Sequence, residues 1–278
     1  MYFSRNEKNK VNFYSVAIMH PYKKIFEGIY STLKGITKLS GEKFDEELEK
    51  FMELENRNFS DEEYFYKLIT ISFYSGFKAS TVESKMERIE YYFSDYRKVL
   101  NYGENEINKM MQDEKMIKNR SKIESCIKNA CTFKEMIEKY GSFQDYVNSF
   151  ETKDSFENLM LFKEDIELKF RYLGAITSYH FMMEIGLPVL KPDRVITRMF
   201  KNFRLIENED QFLKTVIQGR KMSKAVGYPI RAVDIILIKY GQVGIDEEFK
   251  LDNGICSLEN PKCYICGVKE FCHLNDNV

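Results

Sequence analysis

Residues 163–203 read KEDIELKFRYLGAITSYHFMMEIGLPVLKPDRVITRMFKNF. A helical pattern runs into Phe170, Gly174 sits in a tight turn, and a second helix is expected from Ala175 to Ile185. Gly186-Leu187-Pro188 ends that helix, because glycine stops it and proline cannot continue it. Two helices joined by a glycine turn present backbone N–H groups at a helix start, which suits one phosphate group. Helical hairpins are also common packing units, so both readings stay open. Beyond the hairpin comes Lys191-Pro192-Asp193-Arg194. Proline keeps the chain extended, and Asp193 falls where a new helix begins, a position that favours a carboxylate. The plain reading of Asp193 is an N-cap; the other is a carboxylate that acts on a substrate.

Toward the C-terminus the chain carries ICSLENPKCYICGVKEFC, residues 255–272, with Cys256, Cys263, Cys266 and Cys272 in a C-x6-C-x2-C-x5-C spacing. Gly254, Pro261 and Gly267 let this loop bend around one small inorganic centre. A 4Fe–4S cluster and a structural zinc compete for it, with disulfides or free thiols as the remaining option. Zinc sites usually pair two short knuckles. One knuckle flanked by two single cysteines suits the larger cube better. Cys126 and Cys131 lie in a helical pattern with Ile123, Ile127 and Ala130 and read as packing thiols.

Toward the N-terminus the pattern is helical almost without a break. Helices are expected over 42–56, 61–74, 104–112, 120–140 and 142–150, with a polar connection over 152–158. Ser80-Thr81-Val82-Glu83 has the form of a capping box that opens a helix through about Phe93. Residues 1–40 are mixed, with Phe13, Tyr14, Tyr22 and Phe26 as packing aromatics. Alternating Val- and Ile-rich runs are nearly absent, so no sheet is expected. The 44% hydrophobic fraction supports a substantial core. No apolar run approaches the ~18 residues of a membrane span. MYFSRNEKNK lacks the apolar core of a signal peptide, and six cysteines in a reducing compartment favour metal ligation, so a cytoplasmic protein with no membrane association is expected. Net charge is −1 and says nothing of nucleic acid. Its distribution says more. Residues 213–233 hold Lys214, Arg220, Lys221, Lys224 and Arg231 with no acidic residue before Asp234, and Lys115, Lys118, Arg120 and Lys122 form a second basic run. Such runs are usually solvated faces. Lys122, Lys221 and Lys224 are the candidates for phosphate contacts.

Taken together, the hairpin, Asp193 and the cysteine loop resemble the helix-hairpin-helix DNA glycosylase superfamily over about residues 162–272. Leu173-Gly174-Ala175-Ile176-Thr177 matches the hairpin, Leu187-Pro188-Val189 with Pro192-Asp193-Arg194-Val195 matches the approach to the catalytic aspartate, and the cysteine spacing is similar to the cluster loop of endonuclease III and adenine glycosylases. A second resemblance, over about 61–183, is to DNA-3-methyladenine glycosylase I. It rests on Gly76 after its helix, on Ile117-Lys118-Asn119-Arg120-Ser121-Lys122-Ile123 with Asn129-Ala130, and on Phe170-Arg171-Tyr172-Leu173-Gly174 running to Tyr179-His180-Phe181-Met182. The chain departs from that family at Ile71, where the base-binding glutamate would fall, and in lacking its tryptophan and zinc ligands.

The resemblance implies an all-α, two-lobed enzyme: an N-terminal segment 1–60 packing with the cluster lobe, a helical barrel over 61–189 containing the hairpin, and a cluster lobe over 190–278. It implies a cleft between the lobes with Asp193 at its mouth. It implies double-stranded DNA containing a damaged base as the partner of a monomer, with Leu173, Gly174, Ile176 and Thr177 against the backbone. A base inside a duplex must be flipped into a pocket, and Phe73, Tyr74, Phe77, Tyr179 and His180 are the pocket candidates. Breaking the glycosidic bond develops positive charge on the sugar, which a carboxylate such as Asp193 stabilises while orienting water. Ile176 stands where strand-cleaving relatives carry a lysine nucleophile. The expected reaction is therefore hydrolysis alone, with an alkylated purine such as 3-methyladenine first, and a mispaired, deaminated or oxidised base next. A non-catalytic iron–sulfur DNA-binding protein and a zinc-stabilised interaction domain are the rival classes.

Overall fold

The computed structural model describes residues 8–274, with the side chains of 8–20, 55 and 56, among them those of Phe13 and Tyr14, outside the description. Among those residues the fold is all-helical, and the β-type pairing is a single bridge between Asp246 and Leu251. No described helix is long and apolar enough to cross a membrane. The chain forms two compact units, one from the chain up to Glu55 together with Pro188 onward, the other from Asn56 to Leu187. The boundaries expected from sequence lay a few residues further on.

In chain order the helices are α1 (Lys8–Ile36), α2 (Gly41–Met52), α3 (Asp61–Tyr74), α4 (Ala79–Glu83), α5 (Met86–Phe93), α6 (Tyr96–Val99), α7 (Glu104–Gln112), α8 (Arg120–Tyr140), α9 (Phe143–Asn148), α10 (Phe156–Lys169), α11 (Thr177–Glu184), α12 (Arg194–Asn202), α13 (Phe212–Val226) and α14 (Ile230–Gly241). The middle unit is built on α3 and α8. Ser60 and Glu63 close a capping box at the start of α3. Asn119 accepts the Lys122 N–H to start α8, which buries Ile123, Cys126, Ala130 and Phe133 on one face. Phe65, Phe133, Phe143 and Tyr146 fill the core, with Phe133 and Phe143 stacked at 4.5 Å. The buried Cys126 thiol is pushed up to about 12 by desolvation, which suits a packing group.

The expected helix from Ser80 to Phe93 is instead two, α4 and α5, broken at Ser84-Lys85. Ser80 is not a cap, because the helix begins before it, behind Lys78. The polar connection over 152–158 is shorter than expected, since Ser155 caps α10 at Phe156.

In the other unit α1 packs on α13 and α14, and α14 packs on α2 and α12. Residues 8–40 are more regular than the composition of this part of the chain implied: α1 runs through Pro21, and Tyr22, Ile25, Phe26, Ile29 and Leu33 form its buried stripe. Gly241 sets how closely α14 passes α12. A Cβ there would meet Val195 Cγ1 at 2.5 Å and Met199 Sδ at 2.6 Å. That close packing fixes the start of α12, where Asp193 stands.

Candidate active site and cysteine cavity

The hairpin forms as the glycine turn suggested. Helices α10 and α11 are joined over residues 170–176, and Asn129 clamps the turn by accepting the Arg171 N–H at 2.8 Å and donating to its carbonyl at 3.0 Å. Tyr172 takes a left-handed backbone conformation (φ 65°). Thr177 Oγ1 holds both sides, donating to the Tyr172 carbonyl at 2.8 Å and accepting the Gly174 N–H at 2.7 Å. Gly174 is exposed, Ile176 and Thr177 are partly so, and Leu173 points inward at 3% exposure, so its contribution to DNA would come from its backbone.

Lys122 corrects one expectation. It is buried at 3% exposure, donates to the Ser72 carbonyl, and lies 4.1 Å from the Tyr172 ring and 5.5 Å from that of Phe77. An ammonium so engaged braces the hairpin turn from behind and is not available to phosphate. Desolvation lowers its pKa to about 8. Lys221 and Lys224, by contrast, are exposed on α13 and ion-paired to no described residue. Their neighbours in the run are engaged: Lys214 with Glu207, Arg220 with the Pro188 carbonyl, Arg231 with Asp234.

A cavity of about 440 Å³ opens beside α3 and α11, lined among others by Lys67, Ile71, Tyr74, Met86, His180 and Glu184. It brings together Tyr74 and His180, with ring centroids 5.7 Å apart, and Ile71 forms part of its wall. Phe73 and Tyr179 do not reach it. Phe73 is fully buried against Phe93, and Tyr179 packs beside Met160 and Lys163. Both point to a different face of their helices, since neighbours on a helix are about 100° apart. Phe77 lies with Lys122 rather than on this wall. Sequence reasoning missed Glu184, whose carboxylate is 3.7 Å from Lys67 Nζ. Burial first, then the negative charges of Glu83 and Glu184, push the Tyr74 hydroxyl up to about 12, so it stays neutral.

Asp193 is the N-cap of α12. Its Oδ1 accepts the N–H groups of Val195 at 2.9 Å and Ile196 at 3.1 Å. Its Oδ2 has no hydrogen bond to a described residue. Capping therefore occupies one oxygen and orients the carboxylate at the positive end of the helix, and the second oxygen takes no part in the cap.

The four C-terminal cysteines line one cavity of about 340 Å³, with Phe203, Ile255, Leu258 and Pro261 as apolar wall. Among the described residues no group of three or more Cys, His, Asp or Glu side chains is arranged to hold a metal ion. The chemistry of the wall nonetheless fits an anionic thiolate-bound group. Tyr240 Oη donates to Cys266 Sγ at 3.1 Å, Asn202 Nδ2 approaches Cys256 Sγ at 3.9 Å, and Arg198 holds the Cys256 carbonyl at 2.7 Å. The Arg198 Nε, buried on the same wall, has no hydrogen-bond partner among the described residues. Donors near sulfur and a half-buried cation are compatible with a thiolate-bound centre, whose properties such groups tune.

The model of the methyladenine glycosylase family matches residues 53–197, just over half of the chain, from the end of α2 to four residues beyond Asp193. The chain belongs to that family. It is a DNA glycosylase, a hydrolase of N-glycosidic bonds. Its fold is similar to that of Methanocaldococcus jannaschii 8-oxoguanine DNA glycosylase, at 19% identity and TM-score 0.50, over 79% of this chain and 92% of that one. It also matches Staphylococcus aureus 3-methyladenine DNA glycosylase I, at 21% identity and TM-score 0.41, over 47% of this chain and 78% of that one. No curated protein matches it. The cysteine cavity lies outside the family match.

Proposed function

We propose that this glycosylase excises an alkylated purine, such as 3-methyladenine, from double-stranded DNA by hydrolysis alone. The observation that carries the reading is Asp193, seated at a helix N-terminus with Oδ1 capping and Oδ2 open. As the glycosidic bond breaks, the carboxylate faces the positive charge that develops on the sugar and orients the attacking water. The flipped base enters the cavity walled by Ile71, Tyr74 and His180. A purine alkylated at N3 or N7 in DNA is cationic, and cations are favoured by aromatic faces and a nearby carboxylate. Glu184 supplies that carboxylate from α11, in place of the acid that Ile71 does not provide. Ile176 offers no amine, so no covalent intermediate forms and the strand stays intact.

Cys256, Cys263, Cys266 and Cys272 would hold a 4Fe–4S cluster, with Tyr240, Asn202 and Arg198 around it. Bound there, such a cluster supplies a rigid cross-link for the loop and a redox-active centre. Lys221 and Lys224 contact phosphates without reading sequence.

A second reading has Lys67 in its favour. An ammonium beside Glu184 pairs a donor with an acceptor, which suits an oxidised or deaminated purine bearing a carbonyl. A panel of duplexes, each with one lesion and treated with alkali after reaction, tests both. Strand breaks after alkali only, strongest with methylated purines, are expected. Breaks strongest with carbonyl-bearing lesions would favour the second reading, and breaks without alkali would contradict hydrolysis alone.

A further inference from the structure

Asp234 lies in the apolar run Ala232-Val233-Asp234-Ile235-Ile236-Leu237 of α14 and is 2% exposed. A charge buried there is costly, and an apolar residue of similar size would pack at least as well. The carboxylate is fully engaged. Its Oδ1 accepts the backbone N–H of Lys191 at 3.1 Å, and its Oδ2 takes Nη1 of Arg231 at 2.9 Å. Lys191 is also where the loop turns into the catalytic helix: its carbonyl accepts the Asp193 N–H at 2.9 Å. Asp234 is thereby tied to a point two residues from Asp193. The charged groups acting on it are Arg231 on its own helix and Lys191 and Asp193 on the loop. Burial raises its pKa most, Arg231 and Lys191 lower it, the negative charge of Asp193 raises it again, and the balance falls at about 6.

We propose that Asp234 is a positioning residue for Asp193: it fixes the Lys191–Asp193 turn and, when ionised, adds a second negative charge behind the catalytic carboxylate. This rests on Asp193 acting at the sugar. The added charge favours the same positive transition state, so excision quickens as Asp234 loses its proton. A carboxylate that held the loop equally well in both protonation states would leave the pH profile unchanged in shape.

The experiment is single-turnover base release from duplex DNA treated with a methylating agent, followed from pH 5 to 8. The wild-type rate should rise through about pH 6. Asp234→Asn keeps an acceptor for Lys191 but never ionises. It should be about tenfold slower at pH 7.5, with the DNA concentration for half-saturation unchanged, and should lose the rise. Arg231→Gln, which withdraws the cation that favours the charged form, should move the rise to higher pH and keeps the test alive if the first variant does not fold. A uniformly slower Asp234→Asn with the wild-type profile, or an Arg231→Gln profile in its original place, would overturn the proposal. A wild-type protein that releases no base from this DNA or from any duplex of the lesion panel is a different result: the reading of Asp193 fails, and this proposal with it.

Discussion

The two units carry their chemistry in different ways. In the middle unit the candidate features are ones of shape: a clamped hairpin turn and a pocket walled by two rings, a lysine and an acid. In the other the candidate features are ones of spacing along the chain, with four cysteines in a short loop and one aspartate at a helix start. Shape tolerates drift, because an acid lost at one position of a pocket can be supplied from another helix. Ile71 and Glu184 on the same wall would be such a case under the proposed function. Ligand spacing does not drift, since removing one thiolate leaves a centre incompletely held. The family match covers the middle unit and ends at residue 197, before the cysteines, which were the clearest signal in the sequence.

The sharpest way to break this contrast is to remove one cysteine. Wild-type protein prepared without air should absorb broadly near ~400 nm and hold about four irons. Cys266→Ser should lose the absorbance and most of the iron, while Cys126→Ser, altering a buried packing thiol of the middle unit, should keep both. Stoichiometric zinc without iron in the wild-type protein would contradict the cluster assignment.

A pocket acid should matter by degree. Glu184→Gln is expected to slow release of methylated purines by about tenfold while leaving affinity for undamaged duplex unchanged. An equal loss of binding to undamaged DNA would move Glu184 out of the base pocket.

The two kinds of lysine provide a smaller contrast. Lys221→Glu should weaken binding to every duplex alike, by several-fold at low salt, and should flatten the salt dependence. Lys122→Met should leave affinity alone and act on stability. The pKa of Lys122 is about 8 in the fold, below its ordinary value. The unfolded chain therefore binds more protons between those two values, so wild-type stability should rise across that window relative to Lys122→Met. Parallel stability curves for the two proteins would remove Lys122 from its buried role.

How far the site was legible follows the same division. The helices of the middle unit were readable from apolar periodicity, as in α3, α7 and α8, whereas the capping box read at Ser80 was misplaced. Periodicity could not say that Lys122 turns inward, because a basic residue in a basic run looks solvated until Ser72, Phe77 and Tyr172 are seen around it. It could not separate Phe73 from Tyr74 either, since adjacent aromatics on α3 differ only in which face meets the core. Glu184 was hidden because its partner wall is more than a hundred residues away in sequence. Asp234 did leave a trace, a single carboxylate in an apolar run, and its meaning came from the loop packed against it.

The most direct test of the account is Asp193→Asn, measured for single-turnover excision and for affinity on the same lesion duplex. Asparagine keeps the cap at α12, so the fold should be retained. Losing the charge should slow excision by ~100-fold or more, about 3 kcal/mol of transition-state stabilisation. Affinity should hold or rise, because one negative charge near phosphates has gone, and borohydride should trap no protein–DNA adduct with the wild-type enzyme. Near-normal excision by Asp193→Asn would contradict the account and return Asp193 to a capping role.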